Sequence, residues 1–206
     1  MTDTDSTVEQ IEFKFSELSD KAKENARDDF KYRDGYPHDD WFNQVYEDAN
    51  SIGEILGLNI TNISFSGFSS QGDGACFKGL YEFNVDAIEQ MKTHCNDNEL
   101  IRIATQLTAM QIAQRLQGLA YFTARITQSG RYSHSNTMRV EIDFDDYATE
   151  DLQAFEDFED DVAKLFRDFA NWIYWALEAE HDYLCSDEVI DELLAEETFD
   201  EEGCAV

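Results

Sequence analysis

Residues 145–168 read DDYATEDLQAFEDFEDDVAKLFRD. Apolar residues recur every three or four positions, the period of a helix that packs along one side. The pattern continues and predicts a long helix over about 150–184. Thr149 is its expected cap, with Glu150 and Asp151 in the first turn, where the helix dipole favours acids. At 100° per residue, Leu152, Phe155, Phe158, Val162, Leu165, Phe166, Phe169 and Ile173 share one face. Glu156, Asp157, Asp160, Asp161 and Asp168 share the other. Further on, FANWIYWAL (169–177) is apolar nearly all round and needs cover on both sides. Tyr174 and Trp175 turn toward the formerly acidic side. They are expected either under a second layer of the same domain or at the interface of a possible homodimer.

The strands come from a different period. EQIEFKF (9–15) alternates apolar and polar residues, as a half-buried strand does. LNITNISFSGF (58–68) and ACFKGLYEFNV (75–85) form an expected hairpin across SSQGDG, and LAYFTARITQ (119–128) and TMRVEIDF (137–144) a second across SGRYSHSN. Further helices are expected over 16–35, with Ser16 or Ser19 as N-cap and Gly35 as stop, and over 38–57 beyond Pro37. Another spans 86–117 with a break at HCNDN (94–98), and a short one follows Ser186. No Pro- or Gly-rich linker divides the chain. The expected fold is α+β: one domain over 1–196, with an antiparallel sheet of about five strands made from strand 1 and the two hairpins. Helices pack against it, the long C-terminal one among them, and 197–206 follow as a flexible acidic tail.

With 42% apolar residues and 13% aromatics, a core can form, which excludes a wholly disordered acidic chain. The formal charge of −30 is the outlying quantity. A net charge of roughly 2–8 suffices for the solubility of a small domain, and the excess opposes compaction through self-repulsion. Its distribution is uneven. Residues 102–140 contain no Asp or Glu but five arginines, Arg102, Arg115, Arg125, Arg131 and Arg139. Residues 141–206 carry 24 acids against Lys164 and Arg167 alone. Such asymmetry implies two faces, or a contact between the basic middle and the acidic end. Asp157, Asp160 and Asp161 lie within about 5–6 Å of one another on a helix and repel. Few lysines follow at i+4, and the acids continue through Asp187, Glu188, Asp191 and Glu192.

Little else suggests chemistry. SGFSSQGDGACFKG (66–79) places Ser69, Ser70, Gln71, Gly72, Asp73 and Gly74 in a loop whose backbone could approach a ligand. No P-loop lysine follows it, and a strand rather than a helix comes next, so a hairpin connection is the plainer reading. His181 and Cys185 share a helix face, but two ligands do not make a zinc site. No catalytic residue, metal site or cofactor is expected. The four cysteines show no CxxC spacing and read as free thiols of a reducing cytoplasm. No apolar run is long enough to span a membrane, and anionic lipid surfaces would repel the chain.

FKFSELSDKAKENARDDF, DDWFNQVYEDANSIGEILGL, FSGFSSQGDGACFKG, SGRYSHSNTMRV and WALEAEHDYLCSDEVIDE resemble a group of bacteriophage and prophage proteins labelled as an antitoxin of a toxin–antitoxin stability system. The likeness runs over roughly 11–195. It implies a viral gene product in bacterial cytoplasm and carries no catalytic residues with it.

The expected function is therefore a non-enzymatic acidic binding protein. Its partner would be a host or viral protein with a basic nucleic-acid-binding surface, such as an anti-CRISPR or anti-restriction target, blocked by carboxylates that imitate phosphates. It would not bind nucleic acid directly. An antitoxin neutralising a cognate toxin and a small-ligand-binding protein or enzyme using the 66–79 loop are the alternatives. Adaptation to high salt would account for the acids without any partner.

Overall fold

The computed structural model describes residues 11–33, 36–143 and 152–206. The described chain divides into two compact units, one made of residues up to 42 together with 179–206, the other of residues 43–178.

The larger unit carries the sheet. Strands β2 (Leu58–Phe65), β3 (Ala75–Tyr81), β4 (Thr123–Gln128) and β5 (Met138–Asp143) pair antiparallel in that order. Both hairpins expected from the alternating runs are present. Around them lie α2 (Asn43–Leu56), α3 (Ala87–His94), α4 (Asn98–Leu116) and the greater part of α5 (Leu152–Leu184). The break near 94–98 has a local cause. Asn96 adopts a positive φ of 47° after α3, and Asp97 caps α4 by accepting from the amides of Glu99 and Leu100.

The apolar stripe of α5 faces the sheet, as its spacing requires. Val162, Leu165, Phe166, Phe169 and Ile173 are buried. The Phe166 ring lies 5.3 Å from Tyr81, Phe169 lies 5.6 Å from Phe77, and Phe158 meets Phe122 edge-on at 5.2 Å. Burying one such ring contributes about 1.5–3 kcal/mol, so this stripe is the main support of the sheet's inner face. The outer face alternates with it: Lys78, Leu80, Arg125, Arg139 and Glu141 are exposed. The expected cap Thr149 and first-turn acids Glu150 and Asp151 lie outside the described residues.

A buried polar clasp joins α4 to the start of β4. Gln111 is fully buried; its Nε2 donates to the Phe122 carbonyl at 2.8 Å, and its Oε1 accepts from the Phe122 amide at 3.0 Å. The side chain thus satisfies both backbone groups of a residue just before the ladder begins.

The smaller unit corrects two expectations. Strand 1 does not join the main sheet: β1 is only Phe13–Lys14, and it pairs antiparallel with β6 (Thr198–Phe199). The main sheet therefore has four strands, not five. The last ten residues, expected as a flexible tail, hold β6 and a turn closed by the Gly203 amide donating to the Asp200 carbonyl at 3.1 Å. The physical reason is apolar. Phe199 is buried with Phe15, Leu18, Ala22 and Ala26 of the N-terminal segment and with Ile190 and Leu194 of α6 (Asp187–Leu194). Helix α1 (Asp20–Tyr32) starts at Ser19, whose hydroxyl accepts from the Ala22 amide, and α6 starts at Ser186 in the same way.

Gly203 locks this terminus. Its φ is +89°, and a Cβ there would collide with the carbonyl of Ala22. Gly203→Ala should destabilise the smaller unit by about 1–3 kcal/mol. Urea unfolding followed by far-UV dichroism reads it, and a parent-like midpoint would mean the terminus is not anchored. Among the described residues, no helix is long and apolar enough to cross a membrane.

Candidate functional site

The carboxylates on the acidic face of α5 differ in exposure. Glu156, Asp157, Asp160 and Asp161 are exposed. They span about 8 Å of helix axis at 1.5 Å per residue, four charges approaching the density of duplex DNA, one per about 1.7 Å. Lys164 stands one turn beyond Asp160 and Asp161. The helix beneath is held rigid by its buried stripe, so these charges sit on a fixed scaffold.

Asp168 does not belong to that open face. Its Oδ2 accepts from Arg102 Nη2 at 2.6 Å, and Arg102 also donates through Nε to Glu99 at 2.9 Å and through Nη1 to Gln106 at 2.6 Å. Hydrogen bonding to Arg102 holds the Glu99 carboxyl below its usual range and pushes the Arg102 guanidinium further up. This clamp is one contact between the basic middle of the sequence and its acidic end. Glu159, which no periodicity singled out, serves the sheet: its Oε1 accepts from the Ile142 amide at 3.3 Å and covers a donor on edge strand β5.

The acids of α6 are similarly divided. Asp191 receives a two-pronged bond from Arg27 (Nε at 2.6 Å, Nη2 at 2.7 Å), and Asp187 lies 3.5 Å from Arg27 and 3.6 Å from Lys31. Asp187, Glu188 and Glu192 of the expected binding set are exposed on this helix, and Asp191 is half-buried. Asp191 ties α6 to α1, and Asp187, its side chain 64% exposed, adds looser surface ion pairs.

The hydrogen bond from Arg27 keeps the Asp191 carboxyl below its usual range. A depressed carboxylate stabilises the folded state above its unfolded pKa of about 3.9, and that stability is lost as pH falls through the lower folded value. Asp191→Asn should therefore cost up to about 1 kcal/mol at pH 7. The gap to the parent should close below about pH 4. Thermal melts of both proteins across pH 2.5–7 (roughly, the range set by carboxylate titration) check the sign, and a gap that widens in acid contradicts it.

Tyr174 is taken within its own unit. Its hydroxyl donates to the Gly67 carbonyl at 3.1 Å, and its ring lies 5.5 Å from Phe68. Trp175, 57% exposed, stays on the surface. The second-layer reading thus fits Tyr174, and the two residues do not form a joint apolar patch.

The 66–74 loop is closed on itself. Asp73 Oδ2 accepts from the amides of Ser69 at 2.9 Å and Ser70 at 2.6 Å, and the Ser66 amide donates to the Gly74 carbonyl at 3.0 Å. Gly72 takes a φ of +100° to complete the turn. The amides that could have held a ligand are already used by Asp73, so this carboxylate is a structural staple. Gln71 is exposed beside it. Gly74 passes close against His134 of the neighbouring connection, where an added Cβ would sit 3.0 Å from the ring.

Other concavities offer little chemistry. A hollow of about 780 Å³ beside β2 and β3 has Glu54 and Glu82 as its only titratable lining residues. Burial pushes the thiols of Cys76, Cys95 and Cys185 up, the reverse of what a nucleophile needs. Cys185 Sγ lies 3.7 Å from His181 Nε2. Among the described residues, no three His, Cys, Asp or Glu side chains converge as a metal site would require.

No curated protein and no solved structure matches the chain. One family model does, over residues 41–187, a span from just before α2 to the first residue of α6 that includes the whole sheet and α5. The chain belongs to that family, described as a domain of unknown function, DUF8835.

Proposed function

We propose that the exposed carboxylates of α5 occupy the basic nucleic-acid groove of a partner protein and keep nucleic acid out of it. The observation that carries this reading is the clustering of Glu156, Asp157, Asp160 and Asp161, exposed on one side of a helix whose other side is half-buried at Phe155 and Phe158 and buried at Val162. Like charges one turn apart destabilise a helix. A folding role is visible for Asp168 and Asp191, each held by a cation, and for Asp73, held by its own loop. The four α5 acids have a geometry that suits an external cation.

The proposed partner is a host or viral protein that handles nucleic acid, and the protein acts without catalysis as a phage product in bacterial cytoplasm. Its attraction to a Lys/Arg groove would raise the rate of association toward about 10⁸–10⁹ M⁻¹s⁻¹ at low salt. Salt would weaken it, since the charges are exposed. Asp191 drops out of the binding set because Arg27 already holds it, whereas Asp187 keeps an exposed side chain. Glu188 and Glu192 are retained as flanking charge.

Affinity capture from nuclease-treated bacterial lysate, washed at low and moderate salt, tests the reading. The expected result is one nucleic-acid-binding protein, retained at low salt and eluted by added duplex DNA. Capture that DNA does not disturb, or none at either salt, would overturn it.

A further inference from the structure

The first half of α4 buries Leu100, Ile103, Ala104 and Leu107, but its C-terminal half is inverted relative to an ordinary surface helix. It buries two glutamines, Gln111 and Gln114, and exposes Ile112 (50%) and Leu116 (84%). With Ala109 and Ala113, both exposed, these aliphatics form a stripe at i, i+3, i+4 and i+7 down the outer side. No Asp or Glu follows Glu99 on this helix, and none occurs again until Glu141. Beside the first half of the stripe lies a groove of about 340 Å³ between α4 and α5. Ala109, Met110 and Leu165 contribute its apolar lining, and Arg102, Gln106 and Lys164 its polar rim, with Asp161 at one end.

We propose that this stripe is a self-association surface on which two copies pack their α4 helices antiparallel about a two-fold axis at Ala109. The register follows from the spacing. With Ala109 facing itself, Ala113 falls opposite Thr105, Ile112 opposite Gln106, and Leu116 opposite Arg102. Each Leu116 then enters the other copy's groove, and small side chains lie at the crossing, where the backbones must approach.

Charge selects a second copy as the occupant. Two chains of −30 repel over most of their surface, and on α4 they can meet with few opposing carboxylates, Asp161 standing at the groove's end. The same register brings Arg115 to within one turn of the other copy's Glu99 and near its Asp168, so a cation meets the carboxylates that Arg102 clamps. Arg115 is otherwise tied only to the Leu119 carbonyl at 3.0 Å and the ring of Tyr121. A contact made by one helix and its groove is small, which implies a weak, concentration-dependent dimer. This inference rests on α4 and not on the acidic-face reading, with Asp161 at the border of the two surfaces.

Sedimentation equilibrium of the full chain from about 1 to 200 µM, a range suited to a small interface, tests it at moderate salt, where repulsion is screened. The expected result is a monomer–dimer equilibrium that vanishes in the double variant Ile112→Asp, Leu116→Asp, with parent-like dichroism. A second variant, Ala109→Cys in a Cys204→Ser background, should form a covalent dimer on mild oxidation. Lys92→Cys in the same background should not. A monomer at every concentration, a dimer that survives the double variant, or equal cross-linking at positions 92 and 109 would overturn the proposal.

Discussion

Reversing Asp157, Asp160 and Asp161 to lysine should abolish capture of the basic partner while leaving the fold intact. Close charge pairs at an interface are coupled by at least about 1.5 kcal/mol each. Three reversals therefore weaken binding by about 4 kcal/mol or more, roughly a thousandfold. The fold has reason to tolerate the change. All three side chains are exposed, and the buried stripe that anchors α5 is untouched. A lysine at 160 also stands four residues after Glu156, the favourable orientation for a helical pair worth a few tenths of a kcal/mol. Capture and thermal melting of the triple variant separate the two effects. Undiminished capture removes the α5 face from the binding surface. If the acids are instead a salt adaptation, the parent should gain stability with added salt, the triple variant should gain less, and neither should bind a partner.

The largest effect on stability is expected at Gln111. Gln111→Ala removes the side-chain bonds to the buried amide and carbonyl of Phe122, at about 1–3 kcal/mol each, so a total near 3 kcal/mol is expected in urea unfolding. Gln111→Glu separates the hydrogen bonds from the packing. As a carboxylate it can accept from the Phe122 amide but opposes the Phe122 carbonyl. As a neutral acid it can satisfy both. Its folded pKa should thus be raised above the unfolded value of about 4.3. The stability that the protonated form restores is present below that value and lost as pH rises through the folded one. The gap between Gln111→Glu and the parent should be large at pH 7 and shrink toward pH 4. A Gln111→Glu protein as stable as the parent at pH 7 would mean that volume, not the bonds to Phe122, explains the loss in Gln111→Ala.

The parts of the fold that could be read locally were the periodic ones. Alternation marked both hairpins, and a 3.6-residue period marked α5 with its buried Val162, Leu165, Phe166, Phe169 and Ile173. The pairing of β1 with β6 was hidden because each strand has two residues and the partners lie about 185 positions apart in sequence. Phe199, in a stretch of glutamates and aspartates, gave no sign of the cluster that buries it. The candidate site was legible as a density of carboxylates but not as a division of labour. Asp168 meets an arginine 66 residues away and Asp191 one 164 away, and no local pattern records such meetings. Asp73 was readable in principle. An Asp placed three and four residues after two serine amides in a glycine-rich turn is well set to accept from them. Gln111 was not, since a polar residue on the buried side of a helix reads as a surface position.

The central claim, that these carboxylates compete with nucleic acid for a single groove, is tested most directly by a displacement titration. The captured partner is bound to a labelled DNA duplex, and the protein is added while fluorescence anisotropy is followed. Full release of the duplex at stoichiometric protein is expected, with a midpoint that weakens with salt and no release by the triple lysine variant. A duplex that stays bound while the protein joins it in a ternary complex would contradict the account.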